Sequence, residues 1–409
     1  MVSWQRWFSI GLVLLAGCAA QRAQPRTAAA EAVQVPSDVV DPEATNYAYP
    51  YPVQTFKLTG QLQQLQMAYL DVAPTGTPNG RTVLLLHGKN FSAAAWASSI
   101  AFLTERGFRV IAPDQIGFGK STKPVAYQFS FAGLATHTRA LLASLGIEKS
   151  AVVGHSMGGM LAARYALIYP EHVDKLVLVN PIGLEDYAAL TPYRSVDAWY
   201  EDELKQNPDK IREYQKTVYY AGTWSPAFEA LAKQQMNMTK HPEYARVAWC
   251  SARLYDMIVT QPVVHDLPRI RVPTGLIIGT RDKTALGKAF AKPEVAKTMG
   301  DYTQLGKRTR DAIPGAELVE IEGVGHIPQV EAPDRYRDAL LKLLELGPAP
   351  VASASASASA SGSALHRSRE RREVYWACVS RALVICQDGR AVASGFCVGT
   401  ATTSGDWNG

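Results

Sequence analysis

The feature that most restricts the fold is a series of short apolar runs that do not alternate with polar residues. In Val83-Leu84-Leu85-Leu86, four consecutive aliphatic residues stand between Arg81-Thr82 and His87-Gly88. A strand made from such a run has no polar face, so it must be covered on both sides. Comparable runs lie at residues 108–112, 151–153, 175–180, 274–279 and 317–321, and residues 54–59 and 65–72 read as paired opening strands. Between most of them are stretches with helical spacing, such as 93–106 and 131–145. Strands alternating with helices predict an α/β fold: a mostly parallel sheet, right-handed crossovers and helices on both faces.

One interval breaks that rhythm. Residues 183–266 contain no buried strand run but many aromatics, among them Trp199, Tyr200, Tyr214, Tyr219, Tyr220, Trp224, Phe228, Trp249 and Tyr255. A structureless loop of that length is improbable in a compact domain, so the interval reads as a helical insertion capping the sheet, with a ligand cleft expected where cap and core meet. The core is then residues 49–182 and 267–347. Residues 19–48, rich in Ala, Gln, Pro and Thr, read as a flexible tether, 348–364 as an Ala/Ser linker, and 365–409 as a tail whose fold the sequence does not assign.

The strongest chemical signal is Gly154-His155-Ser156-Met157-Gly158, a G-x-S-x-G directly after a buried strand run and directly before a helical pattern. That context suits a serine on a sharp, strained strand-to-helix turn, where only small neighbours leave room for the backbone. Two partners follow. The run 274–279 leads into Thr280-Arg281-Asp282, and the run 317–321 leads into Gly323-Val324-Gly325-His326. Each of the three sits just beyond the C-terminal end of a strand, where open α/β sheets assemble their sites. Neutral His326 can take the Ser156 proton, and Asp282 can fix the imidazole tautomer and stabilise its charged form. The acid has rivals in Asp301, within a Lys-, Gly- and Thr-rich stretch read as a surface insertion, and in Glu185 and Asp186 after the preceding strand.

Leu85-Leu86-His87-Gly88, the Asp114-Gln115-Ile116-Gly117-Phe118-Gly119 turn, the Ser156 elbow and Gly325-His326 together resemble the capped α/β-hydrolase superfamily over about residues 49–346. The resemblance implies an oxyanion hole made by the backbone N–H groups of Lys89 and Met157, with Asn90 a lesser candidate. It implies structural roles for His87 and Asp114, and a His155 ring turned from the reacting side. Serine in the elbow argues against the dehalogenase and epoxide hydrolase chemistries of that superfamily, which place Asp there. A serine hydrolase of a small carboxylic ester, of esterase, lipase or lactonase type, is expected. The alternatives are a carbon–carbon hydrolase of ring-cleavage products, which usually carries Trp where Ile327 stands, a cofactor-free perhydrolase, and a non-catalytic binding module. No cofactor is implied. His137, His172, His241 and His265 show no ligand spacing, so no metal is implied either.

The N-terminus reads as an export signal: Arg6 is followed by an apolar run too short to span a bilayer. Leu15-Ala16-Gly17-Cys18 resembles the lipobox of bacterial lipoproteins, in which the cysteine is acylated, and Ala19 implies the outer membrane, facing the periplasm. The expected partners are therefore a small ester-like substrate and a membrane reached through a lipid anchor on Cys18. Nucleic acid is a poor fit, because the net charge of +5 is small for 409 residues and part of it lies in Arg367, Arg369, Arg371 and Arg372. Cys250 reads as a buried hydrophobe, and no pairing among Cys378, Cys386 and Cys397 follows from their spacing.

Overall fold

The computed structural model describes residues 38–345, 381–387 and 390–396. The proposed export signal, Cys18, the Ala/Ser stretch, Cys378 and Cys397 lie outside the described residues. The chain divides into two units, Met1–Val351 and Ala352–Gly409. In the second unit the described residues form an antiparallel hairpin, Arg381–Gln387 with Arg390–Phe396.

The first unit is built on one eight-stranded sheet. Its strands are β1 (Val53–Gly60), β2 (Gln63–Val72), β3 (Thr82–Leu86), β4 (Arg109–Pro113), β5 (Ser150–His155), β6 (Val173–Val179), β7 (Thr274–Gly279) and β8 (Glu317–Ile321). They lie in the order β1-β2-β4-β3-β5-β6-β7-β8. The opening hairpin pairs antiparallel and β2 runs antiparallel to β4, while every pairing from β4 to β8 is parallel. The expected α/β class with a mostly parallel sheet is what the chain adopts.

Period-two alternation divides each apolar run between two cores. Leu84 and Leu86 of β3 and Val152 of β5 join the core on one face, and Val83, Leu85, Ala151 and Val153 join the other. The first face is covered by α2 (Phe131–Ser144) and α3 (Met157–Ile168). The second is covered by α1 (Ala97–Glu105), whose Ile100 and Leu103 are fully buried. Ser130 caps α2 by accepting the Gly133 N–H, one of the donors that a helix start leaves unpaired.

Between β6 and β7 come five helices: α4 (Tyr187–Leu190), α5 (Val196–Leu204), α6 (Pro208–Val218), α7 (Pro226–Met238) and α8 (Tyr244–Thr260). Asn207-Pro208 and Ser225-Pro226 supply a side-chain cap and a proline at the first helical position for α6 and α7. Tyr219, Tyr220 and Phe228 of this region pack with Phe91 and Ile327 of the core. After β7 come α9 (Pro293–Ala296) and α10 (Tyr302–Ala312), and after β8 come α11 (Pro328–Glu331) and α12 (Pro333–Glu345).

Two expectations need correction. The stretch read as a surface insertion is part of the core, because Met299, Tyr302 and Leu305 are buried in the cluster that contains α2 and α3. The tether also ends earlier than residue 48. Val39, Val40 and Ala44 are buried, and Val40 and Ala44 cluster with Met238, Tyr47, Tyr244 and Val247. The Val40 N–H donates to the Asn237 carbonyl at 3.2 Å, Arg246 pairs with Glu43, and Asp41 holds the turn by accepting the N–H groups of Glu43, Thr45 and Asn46. Composition averaged over the whole segment hides this short apolar patch.

Candidate active site

The turn from β5 into α3 puts Ser156 in the left-handed region, with φ 58° and ψ −123°. Such a conformation is costly for a residue with a side chain and persists only where its surroundings over-determine it. Here they do. A Cβ at Gly154 would come 2.1 Å from the Gly158 carbonyl oxygen, and one at Gly158 would come 2.1 Å from the Leu86 carbonyl oxygen. Strand and helix therefore approach at a distance only glycine permits, and Ser156 is pushed to the tip of the turn.

His326 follows β8 and Asp282 follows β7, and the fold brings both to Ser156. His326 Nε2 lies 3.0 Å from Ser156 Oγ, and its Nδ1 lies 2.7 Å from Asp282 Oδ2. Assigned from this network, Nδ1–H donates to the carboxylate and Nε2 accepts the serine hydroxyl. Both side chains are fully buried, and Ser156 is 6% exposed. Burial by itself would raise the Asp282 carboxyl. The charge and hydrogen bond of His326, with the N–H of Thr284, outweigh it and hold the group below the usual carboxylate range. The rivals are occupied elsewhere. Asp301 caps α10 through Thr303, Asp186 caps α4 and pairs with His265, and Glu185 accepts the Gly300 N–H.

Lys89 and Met157 flank the serine. Met157 is the first residue of α3, so its N–H has no partner inside the helix, and the helix dipole favours negative charge beside it. Gly88, just before Lys89, faces Ser156 so closely that a Cβ there would lie 3.0 Å from the serine Cβ. Among the described residues neither N–H has a backbone acceptor. Asn90 is engaged instead: its amide donates to the Tyr219 hydroxyl and its carbonyl accepts from Gln235.

The remaining histidines and Asp114 have structural partners. His87 is buried between the Gly88 carbonyl and the Gln115 N–H. Asp114 accepts from the Tyr49 hydroxyl and from the N–H groups of Ala93 and Lys120. His155 turns its Nε2 to the His326 carbonyl at 2.8 Å, and burial pushes its pKa down to about 3. Among the described residues no group of three or more His, Cys, Asp or Glu side chains could hold a metal ion.

Other site residues gave no signal in the sequence. Asn180, at the end of β6 with φ 37°, donates to Asp282 Oδ2 and accepts the Gly279 N–H, both at 2.9 Å. The Tyr219 ring lies over His326 with centroids 4.6 Å apart, and its carbonyl accepts the His326 N–H at 3.3 Å. Glu331 accepts from Gly325 N–H and pairs with Arg281, tying the His326 loop to the Asp282 loop. A cleft is walled by Lys89, Asn90 and Phe91 on the core side and by Glu203, Tyr244 and Ser251 from the α4–α8 region. In it the Lys89 ammonium donates to Ser251 Oγ at 2.7 Å and sits 3.4 Å over the Tyr255 ring. Burial lowers its pKa to about 8, with Glu203 opposing.

Sheet order, the strained serine and the three strand-end side chains define an α/β hydrolase. The family model for the alpha/beta hydrolase fold matches residues 81–333, and the chain belongs to that family. It is similar to a crystal structure of a probable hydrolytic enzyme from Pseudomonas aeruginosa PAO1: 51% identity, TM-score 0.74, covering 76% of this chain and 100% of that one. It is also similar to Lipase 1 of Psychrobacter immobilis, 28% identical over 65% of this chain and 77% of the lipase. A 2-hydroxy-6-oxononadienedioate/2-hydroxy-6-oxononatrienedioate hydrolase from a Pseudomonas species is 25% identical over 64% of this chain and 87% of that protein.

Proposed function

We propose that the protein is a serine hydrolase that cleaves a small carboxylic ester through an acyl-enzyme. The observation that carries this reading is the relay from Ser156 Oγ to His326 Nε2 at 3.0 Å and from His326 Nδ1 to Asp282 at 2.7 Å, starting at a strained turn. Ser156 Oγ attacks the ester carbonyl while His326 takes its proton, and Asp282 stabilises the resulting imidazolium. The oxyanion develops toward the N–H groups of Lys89 and Met157, whose orientation is fixed before the reaction. His326 returns the proton to the leaving alcohol, and a water repeats the sequence to release the acid.

A fluorophosphonate probe tests the activated serine. Labelling that disappears in Ser156→Ala supports the reading, and folded wild-type protein that resists labelling overturns it in favour of a non-catalytic module. p-Nitrophenyl esters of increasing acyl length, assayed beside a ring-cleavage dienoate, test the bond that is cleaved. The relative named as a dienedioate hydrolase keeps carbon–carbon cleavage as the second reading, and faster turnover of the dienoate would favour it. The reading also includes export and a lipid anchor, supported by Leu15-Ala16-Gly17-Cys18. Cys18→Ser should release the protein from membranes without loss of specific activity.

A further inference from the structure

The hydrogen-bonding groups of the cleft beside Lys89 are mostly engaged with one another. Asn90 bonds Tyr219 and Gln235, Gln215 donates to Gln235, and Gln234 bonds Ser92 and Tyr49. Lys123, which also lines the cleft, gives its ammonium to the Gly119 and Ser121 carbonyls, and Lys89 and Glu203 keep the most capacity. An ammonium has three donors, and Lys89 spends one on Ser251 and points at the Tyr255 ring face, which leaves a donor for a ligand. Glu203 is only 7% exposed, lines the same cleft and joins no ion pair among the described residues, with the Tyr255 hydroxyl as a polar neighbour. A buried carboxylate has room for several donors, so most of its accepting capacity also remains.

An ammonium and a carboxylate that face one cleft without touching select what lies between them. A ligand carboxylate drawn to Lys89 would face repulsion from Glu203, and a ligand ammonium drawn to Glu203 would face repulsion from Lys89, so a single charge gains little net. An alkyl chain would strip water from both charges and return nothing. A hydroxyl satisfies both, donating to Glu203 and accepting from Lys89. Tyr244 and Leu254 supply apolar surface for the carbon skeleton that bears it.

We propose that this cleft binds a hydroxylated part of the substrate, so that the enzyme prefers esters carrying free hydroxyl groups to alkyl esters of the same size. The proposal rests on the ester-hydrolase reading and narrows its substrate class. Its location fits, because the cleft wall formed by Lys89 to Phe91 follows directly from Gly88, which packs on Ser156. Sites built around a substrate hydroxyl discriminate strongly against the analogue that lacks it, since buried polar groups are then left unpaired.

Two matched pairs test it on full-length enzyme by acid release: glyceryl monobutyrate against propyl butyrate, and methyl 3-hydroxybutyrate against methyl butyrate. At least one hydroxylated ester should exceed its partner in kcat/KM by about 10-fold, the worth of one or two net hydrogen bonds. Glu203→Leu should collapse that ratio toward one, and Glu203→Gln, which keeps the size and an acceptor, should restore part of it. Should Glu203→Leu fail to fold, Ser251→Ala, which frees Lys89 from its holding contact, should also lower the ratio, and an unchanged ratio in a folded Ser251→Ala would overturn the role of Lys89. Hydrolysis of both pairs with ratios at or below one overturns the proposal while leaving the ester reading intact. Failure to hydrolyse any of the four esters overturns both.

Discussion

Asn180 and Asp282 form a side-chain pair at the ends of neighbouring strands: the Asn180 amide donates to Asp282 Oδ2 at 2.9 Å, on the same oxygen that accepts from His326. Its carbonyl accepts the Gly279 N–H, so one buried amide bonds both the backbone at the end of β7 and the carboxylate that follows it. Asn180→Ala leaves that backbone donor and part of the carboxylate unsatisfied. The expected cost is about 1–3 kcal/mol in stability, with a lower kcat and little change in KM. Chemical denaturation and steady-state kinetics on one p-nitrophenyl ester measure both, and an unchanged kcat would show that Asp282 needs no such support.

Four carboxylates, Asp282, Asp301, Glu185 and Asp186, compete in sequence for the role of acid, and their hydrogen-bond partners rank them. Asp282→Asn should leave the fold intact and cut kcat on the order of 10⁴-fold through the wrong imidazole tautomer, as in the serine-protease case. Asp301→Asn and Asp186→Asn should change kcat less than about threefold, because Asn keeps the capping acceptor at each position and only solvent-screened pairs, Asp301 with Lys283 and Asp186 with His265, are weakened. The reverse ranking, with melting curves matched, would move the acid elsewhere.

Acid should destabilise the protein earlier than carboxylate protonation alone would. Folded His155 has a pKa near 3, against about 6.5 for an unfolded histidine. Between those values the unfolded chain binds a proton that the folded one does not, so stability falls as pH falls through that window, by at most about 1.4 kcal/mol per pH unit. Buried His87, lowered chiefly by burial, acts in the same direction, and Asp282, held below its usual range, does so at lower pH. Denaturation midpoints between pH 7 and pH 4 should show a shallower slope in His155→Gln than in wild type. Parallel slopes would sink this account.

The segment around Val40 should matter through its apolar contacts more than its charges. Val40→Asp places a carboxylate among Met238, Tyr47 and Tyr244 and should cost about 2–4 kcal/mol. Arg246→Ala should cost under about 1 kcal/mol, because Arg246 and Glu43 are each about 31% exposed and water screens the pair. Melting temperatures of the two variants decide between packing and charge.

The sheet was legible because its determinants are local. A run such as Val83-Leu84-Leu85-Leu86 can be satisfied only by a strand covered on both faces, and alternation with helical stretches then leaves few topologies. Gly154-His155-Ser156-Met157-Gly158 was legible for the same reason, since only glycine tolerates the approach of strand to helix on either side of the serine. Strand ends also pointed to Asp282 and His326, which lie far apart in the chain and meet within 2.7 Å. What the sequence could not decide depends on contacts between distant segments. Asn180 looks like any residue at a strand end until β6 and β7 lie side by side. Tyr219 is one aromatic among many until its ring covers His326, and Glu203 is an ordinary helix carboxylate until the α4–α8 region buries it opposite Lys89. Val40 reads as part of a polar tether until Met238 and Tyr244 supply the surface that buries it. Backbone periodicity and steric exclusion act within a few residues and are written along the chain. Burial and charge pairing act between residues that only the folded chain makes neighbours.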